Sequence, residues 1–422
     1  MESIIDKKFK LDSLYTLASI TIIALCGLLV NVVIQEFFDK EKLGQFSYII
    51  SIFLIINSIG TLGLNRAMVF YTSFYKDDII MRNTLITTSL LMVFCWSILI
   101  YSAIYIVLNQ SYFNFFTIEQ ITYFKIIFLS TPFYCINNVA ISILNGLRKM
   151  KAYSLIRSFR WASLVLLIII FSKCSLFKNV FFAFLFSEIL IFIITSLIFT
   201  INKVLIFRVS KKNILDITSY IKYVYPSQIL VSLNENIDII IVEIFVTPGL
   251  LGVYSFSSKV AKSLNLVGVA IQTNFNPIIS SCFKENKLAE LASSCFKVRE
   301  GSIKLFSVLV VFQIAAYYLL LKLYISDSSY IELFNYFIIQ SFAVGIFASF
   351  TWAGGMLVMT RKIKENIYRV ISKLLINICI MYTCLIIFSE PVGMFLGFSI
   401  VLISHLYIDK LFISRYLKIK IF

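Results

Sequence analysis

The sequence predicts an all-α integral membrane protein with twelve transmembrane helices in two parallel six-helix repeats around a central cavity. Composition is the first of three observations behind this. Of 422 residues, 59% are hydrophobic and 14% charged, and the mean hydropathy is +0.91, whereas soluble domains are roughly 45–50% apolar and about 25% charged. Second, the apolar residues gather in runs of spanning length. Third, short motifs recur in the same order about half a chain apart. Aromatic residues, 16% and mostly Phe and Tyr, suit a lipid-facing surface and its interfacial belts.

A spanning helix needs roughly 20 apolar residues. The runs fall at 12–34, 44–65, 84–108, 121–147, 153–172, 177–201, 217–246, 250–281, 301–325, 332–359, 367–388 and 392–413. No connector between them is long enough for a soluble domain. Boundaries are least regular around Pro132 and between residues 281 and 300, where a short amphipathic surface helix is expected. Lys7, Lys8 and Lys10 before the first run look like the start of a secretory signal. The run from Leu14 to Val33 is too long for one and lacks a small-x-small cleavage site, so a retained first helix is expected.

The net charge of +16 could mean a nucleic-acid partner, but nearly all Lys and Arg sit in short connectors, where topology accounts for them and no nucleic acid is expected. Counted on alternate sides of the spans, 30 of the 38 lie on one side and six on the other. The remaining two are Lys259 and Lys262. This asymmetry puts both termini in the cytoplasm. The eight cysteines form no CxxC pair and no Cys/His cluster of metal-ligand spacing, and read as buried thiols. Asp77-Asp78 resembles a metal-binding pair only superficially. Without a P-loop, direct ATP use is not expected, nor is any other cofactor.

Shifted by 207 residues, NVVIQEFF (31–38) overlies DIIIVEIF (238–245), bringing Glu36 onto Glu243. After a one-residue slip LGQFS (43–47) meets LGVYS (251–255), and SFYKDD (73–78) meets SCFKEN (281–286). Six helices per half make the copies parallel, with halves at 1–210 and 211–422. Parallel repeats of this kind place a cavity between two bundles and suggest a transporter.

The second repeat opens on charges placed in hydrocarbon. Glu235 and Asp238 lie on one side of a Pro248-Gly249 turn, Lys259 and Lys262 on the other. At roughly 1.5 Å rise per residue, Asp238 and Lys259 should lie level about 15 Å below the turn, and Asn234 and Lys262 about 21 Å below it. Each like-charged pair is three residues apart and lines one helical face. The first repeat has Leu28, Asn31, Ser51 and Leu54 at these places, all uncharged. One reading is an ion-pair network locking two helices. The other is a functional site, because buried ion pairs stabilise poorly whereas intramembrane ionisable residues mark substrate or ion paths. There the lysines attract an anionic group, and the acids serve as partners or proton sites.

Arg66, in GTLGLNRAMVFY, is either a further cationic contact or a positive-inside anchor. Arg157 and Arg160, near the start of the fifth span, face either the same cavity or, as is favoured, the headgroups. Glu188, inside the sixth span without an evident local partner, is a protonation site or a protonated hydrogen-bonder. Hydration accounts for Asn31, Gln35 and Glu36 near the outer end of the first span. His405, the only histidine, reads as a packing residue.

The order N-x-I-D-I-I-I, Pro-Gly turn, L-G-x-Y-S, lysine-bearing helix and N-P-I-I-S (276–280) resembles the second-half signature of the polysaccharide-transport family. That family lies in the multidrug/oligosaccharidyl-lipid/polysaccharide (MOP) exporter superfamily, and within it the chain most resembles Wzx-type O-antigen flippases. The resemblance spans essentially the whole chain. It implies a MATE-like fold of two bundles enclosing a V-shaped cavity that opens alternately to the two sides of the bacterial inner membrane. It also implies an undecaprenyl-pyrophosphate-linked oligosaccharide as substrate, with membrane lipids, the O-antigen polymerase and the chain-length regulator as partners. Lys259, Lys262, Arg66 and Asn234 would face the substrate, and Asp238, Glu235 and Glu188 would serve ion coupling. A multidrug efflux pump of the same superfamily is the nearest alternative, although a cavity for cationic drugs should be dominated by carboxylates. A membrane glycosyltransferase or polymerase is the alternative from another class, but no large external loop carries the residues it needs.

Overall fold

Inside hydrocarbon every backbone N–H and C=O must be satisfied within the chain, so an apolar segment either forms a helix or closes into a barrel. Here the apolar segments form helices. The structure, a computed structural model, describes residues 2–75, 77–109, 116–173, 176–204, 211–285, 287–324, 328–360, 362–388 and 390–417, all helical or in short connections.

The helices are α1 (Glu2–Phe38), α2 (Lys40–Gly60), α3 (Leu64–Phe74), α4 (Ile79–Asn109), α5 (Ile118–Phe128), α6 (Thr131–Gly146), α7 (Met150–Ser172) and α8 (Lys178–Ile201). They continue with α9 (Lys211–Phe245), α10 (Pro248–Lys262), α11 (Leu264–Lys284), α12 (Leu288–Tyr324), α13 (Ser328–Glu332), α14 (Phe334–Ser349), a 3-10 turn (Thr351–Gly355), α15 (Met356–Met359), α16 (Ile363–Ile387) and α17 (Glu390–Leu417). Among the described residues, eight helices are long and apolar enough to cross a membrane, and two bent pairs make up to ten such spans. The bent pairs are α5 with α6, at 42°, and α14 with the segment Thr351–Met359, at 48°. Pro132 sits in the first turn of α6, where its missing N–H leaves no bond broken.

The two remaining expected spans, 217–246 and 250–281, are helical but are not among those ten. They are α9 and the α10–α11 pair, whose apolar runs are diluted by Asn234, Glu235, Asn236 and Asp238 and by Lys259 and Lys262. The surface helix expected between 281 and 300 is not separate. Residues 288 onward continue α12, whose 37 residues reach about 55 Å, well beyond a hydrocarbon core of about 30 Å.

By packing, the chain forms two compact units: Met1–Asp39 with Ile49–Ser232, and Lys40–Tyr48 with Leu233–Phe422. The sequence pattern divides the halves at 210 and 211; the packing units divide at 232 and 233, and the second takes the start of α2. In the first unit α1 and α8 pack on α7, and α6 packs on α3, α4 and α8. The second unit is held by α16 on α17, α14 on α12 and α17, and α11 on the 3-10 turn.

Along the chain the same order of elements occurs twice. A long helix is followed by a two-piece span, a long helix, a bent pair and two further long helices. The two-piece spans break at 61–63, where Leu62 and Gly63 have φ of 54° and 69°, and at Ser263. A side chain from the following long helix adds a donor at each break: Trp96 Nε1 donates to the Ile59 carbonyl at 3.1 Å, and Gln313 Nε2 to the Val260 carbonyl at 2.6 Å.

The repeat also extends beyond the motifs visible at first reading. Shifted by 213, RKMK (148–151) overlies RKIK (361–364). The backbone follows the same register. Lys149 N donates to Leu144 O at 3.0 Å and Lys362 N to Leu357 O at 2.8 Å, and both lysines have closely similar φ and ψ, −86° and 59° against −91° and 61°.

Candidate functional site

The charged hairpin is built from α9 and α10, joined at Pro248, which opens α10 at a position that needs no N–H donor. Asp238 is 1% exposed. Its Oδ2 accepts from Lys262 Nζ at 2.8 Å and from the Tyr254 hydroxyl at 3.1 Å. Lys262 also reaches the Glu235 carbonyl at 3.3 Å and lies 4.8 Å from the centre of the Phe398 ring. The lysine side chain is 27% exposed, so one end of the pair is buried and the other open.

This is not the pairing expected from depth alone, which set Asp238 level with Lys259 and Asn234 with Lys262. Helical side chains tilt toward the N-terminus of their own helix. In α9 that direction leads away from the Pro-Gly turn, and in α10 toward it. Asp238 and the long Lys262 stem therefore converge across about one helical turn. Lys259, one turn earlier, instead donates to Ser47 Oγ at 3.2 Å and lies 5.7 Å from the Phe46 ring. Asn234 receives Asn377 Nδ2 of α16 at 3.2 Å on its side-chain oxygen and 3.4 Å on its carbonyl.

Lys262 ends α10, and the chain breaks at Ser263, whose N–H returns to Lys259 O and Val260 O. Gln313, mostly buried in α12, seals this break by donating to Val260 O and, at 3.1 Å, to Ser263 Oγ. The two lysines thus sit where the carbonyl end of a helix favours positive charge.

A second polar site lies in the other unit. Glu188 is buried, yet it has the partner the sequence did not reveal. Arg160 of α7 approaches its Oε1 at 2.7 Å, and Asn137 of α6 donates to its Oε2 at 2.8 Å. Arg160 also donates to Asn138 Oδ1 at 2.8 Å and covers the Tyr134 ring at 4.3 Å. Arg160 therefore does not sit among headgroups as expected. Arg157 stacks on Tyr153 one turn away. Arg66 is exposed on α3 in the same unit as Glu188.

A third site escapes sequence reasoning because its members are far apart in the chain. Asp409 of α17 is buried between Lys373 at 2.7 Å and Arg369 at 3.3 Å, both from α16. Arg369 also donates to the Gly354 carbonyl and to Asn366 Oδ1, both at 2.7 Å. It therefore meets the Gly354 carbonyl in the 3-10 turn that follows α14. His405, buried, sets Nε2 3.2 Å from the Lys373 carbonyl and packs beside Phe347. The available signal was a single acid within the twelfth run and two bases within the eleventh.

Among the described residues no group of three or more His, Cys, Asp and Glu is placed to hold a metal ion. Asp77-Asp78 lies in the short connection before α4, where Asp78 Oδ1 accepts from Met81 N at 2.9 Å and serves that helix start.

No curated protein matches the chain by sequence. Solved structures match over nearly its full length. They include an inward-facing multidrug resistance MATE family transporter of the MOP superfamily (TM-score 0.74, 14% identity, 96% of this chain and 99% of that one). A MOP superfamily transporter from Pyrococcus furiosus, described by the reverse polarity of its binding pocket and a different function, matches with TM-score 0.73 and 13% identity over 96% and 94%. A point mutant of the Vibrio cholerae MATE transporter VcmN matches with TM-score 0.73 and 13% identity over 99% and 98%. At these identities the likeness is one of fold. The family described as polysaccharide biosynthesis protein matches residues 10–283, well over half of the sequence, and the chain belongs to that family, with the fold of MOP superfamily transporters.

Proposed function

We propose that this protein is a flippase. It moves an undecaprenyl-pyrophosphate-linked O-antigen oligosaccharide from the cytoplasmic to the periplasmic leaflet of the bacterial inner membrane by alternating access, with both termini cytoplasmic. The observation that carries this reading is the pair of lysines, Lys259 and Lys262, on one face of α10 within a membrane hairpin, in a polysaccharide biosynthesis family member with a transporter fold. A pyrophosphate and its glycan do not cross hydrocarbon unaided. Lysine ammonium groups supply point charges for the pyrophosphate, Asn234 and Arg66 are further polar contacts, and the polyprenyl tail stays in lipid. Ion coupling falls to Asp238, Glu235 and Glu188. The O-antigen polymerase and the chain-length regulator are the partners this reading implies.

A carrier of cationic drugs is less well supported, because the buried carboxylates Glu188, Asp238 and Asp409 are each held by a Lys or Arg. The test is reconstitution of the purified protein into liposomes with a fluorescent undecaprenyl-pyrophosphate oligosaccharide on one leaflet. Flipping without chemical change is expected in the wild type, with a reduction in the Lys259→Gln variant. A new glycosidic bond, or equal rates with and without protein, would overturn the reading.

A further inference from the structure

Among the described residues three carboxylates are buried in the two units: Glu188, Asp238 and Asp409, each at most 4% exposed. Each has a basic nitrogen of the chain within 2.7 or 2.8 Å: Arg160, Lys262 and Lys373 respectively. Arg160 and Lys373 stand at one position of the repeat, since the 213-residue register that superimposes RKMK on RKIK carries 160 onto 373. The acids come from the last helix of their own half, α8 and α17. The corresponding helix pair of each half thus supplies a base and an acid, with an arginine in one copy and a lysine in the other, although the register that aligns the bases carries Glu188 onto Val401 rather than Asp409.

The oxygens around these nitrogens are those that hard monovalent cations take. At Arg160 they are the Glu188 carboxylate and Asn138 Oδ1, with Asn137 Oδ1 buried and unpartnered beside them. At Arg369 and Lys373 they are the Asp409 carboxylate, Asn366 Oδ1 and the Gly354 carbonyl. At Lys262 they are Asp238 Oδ2 and the Glu235 carbonyl, with Asp238 Oδ1 buried and unpartnered. Carboxylate, amide and carbonyl oxygens form a hard, all-oxygen donor set.

We propose that Arg160, Lys262 and Lys373 are tethered counter-cations that fill these seats, so that no sodium or potassium ion binds at the three carboxylates. The proposal rests on the ion-coupling part of the flippase reading and excludes sodium and potassium from it at these three carboxylates. A metal ion would have to enter beside a cation covalently held in place. Two like charges about 4 Å apart, in a medium of effective dielectric about 20, weaken binding of the second by roughly a thousandfold. The other charged and titratable groups around Asp238 are Tyr254 and Lys259 on α10 and Glu235 on α9, while α16 and α17 present Asn377 and Phe398. Around Glu188 they are Tyr134 and Cys135 on α6, and around Asp409 they are Arg369 and His405.

The test uses full-length purified protein in detergent without substrate, so its outcome is separate from whether flipping occurs. Binding of radioactive sodium and thermal unfolding are measured in sodium, potassium and choline chloride at equal ionic strength. The wild type should bind no sodium saturably and should unfold at the same temperature in all three salts. Arg160→Met, Lys262→Met and Lys373→Met should each acquire saturable, sodium-specific binding and stabilisation over choline. Saturable sodium binding by the wild type that Glu188→Gln, Asp238→Asn or Asp409→Asn removes would overturn the proposal. So would failure of every folded methionine variant to gain sodium binding. A variant that does not fold leaves the wild-type measurement and the other two to decide.

Discussion

Gly44 and Gly252 meet backbone to backbone. A Cβ on Gly44 would lie 2.0 Å from the Pro248 carbonyl oxygen, and one on Gly252 would lie 2.0 Å from that of Lys40. Both glycines belong to the duplicated motif, LGQFS and LGVYS, and a shift of 208 carries Gly44 onto Gly252 and Lys40 onto Pro248. The two copies of the motif therefore pack on each other with mirrored contacts, which explains why Lys40–Tyr48 belongs to the second packing unit. It also places Ser47 where Lys259 can reach it.

Gly44→Ala and Gly252→Ala should each be strongly destabilising, because the obstructing atom is a backbone oxygen that cannot rotate aside. Overpacking of this kind costs about 1–3 kcal/mol. The double variant should cost less than the sum of the singles, since one separation of the helices relieves both clashes. Thermal unfolding of the four proteins in detergent checks this; additive losses would mean that the two contacts are independent.

The Asp238–Lys262 pair predicts an asymmetric cycle. Lys262→Met leaves a buried carboxylate unpaired, a loss on the order of 3–5 kcal/mol. Asp238→Asn leaves a lysine that is 27% exposed and can turn outward, so it should cost much less. Adding Asp238→Leu to Lys262→Met should recover most of the stability and none of the flipping. Recovery of flipping by the apolar pair would identify the clasp as purely structural.

Glu188 and Arg160 predict a smaller asymmetry of the same sign, because both are mostly buried. Glu188→Gln strands a guanidinium and Arg160→Met strands a carboxylate, and each should cost several kcal/mol by the same reasoning. Glu188→Gln is cushioned, since Asn138 and the Tyr134 ring still hold Arg160. Its unfolding midpoint should therefore lie above that of Arg160→Met, a ranking that a single thermal series resolves.

Much of this architecture was legible in the sequence because hydrocarbon leaves few options. A long apolar run must be a helix, and ten of the twelve expected runs meet the length and composition of a span, bent pairs included. The hairpin could be located because charges there contradict the solvent. Its pairing could not be read, because counting rise per residue ignores the opposite tilt of side chains on antiparallel helices. Asp409 with Lys373, and Glu188 with Arg160, were hidden for another reason. Contacts between different helices have no signature in local spacing, so a lysine or arginine near a span end reads as a headgroup anchor. The break at Ser263 was equally invisible, because no proline or glycine marks it.

That break carries the last prediction. Gln313 holds the Val260 carbonyl at 2.6 Å, next to the turn of α10 that bears Lys259 and Lys262. Trp96 holds the Ile59 carbonyl at the corresponding break of the first half, where the helix end carries Asn57 and Ser58 rather than lysines. Gln313→Leu and Trp96→Phe each remove a side-chain donor from a carbonyl that keeps a backbone partner, Ser263 N on Val260 O and Leu62 N on Ile59 O, at a cost of about 0.5–1.5 kcal/mol, and both should lower the unfolding midpoint modestly. Transport should separate them. Gln313→Leu frees the end of α10, so the lysines lose their aim and flipping should fall severalfold. Trp96→Phe should keep a rate near that of the wild type. Equal losses in the two variants, measured by the same liposome flipping assay, would mean that flipping depends on the integrity of both breaks rather than on the aim of Lys259 and Lys262.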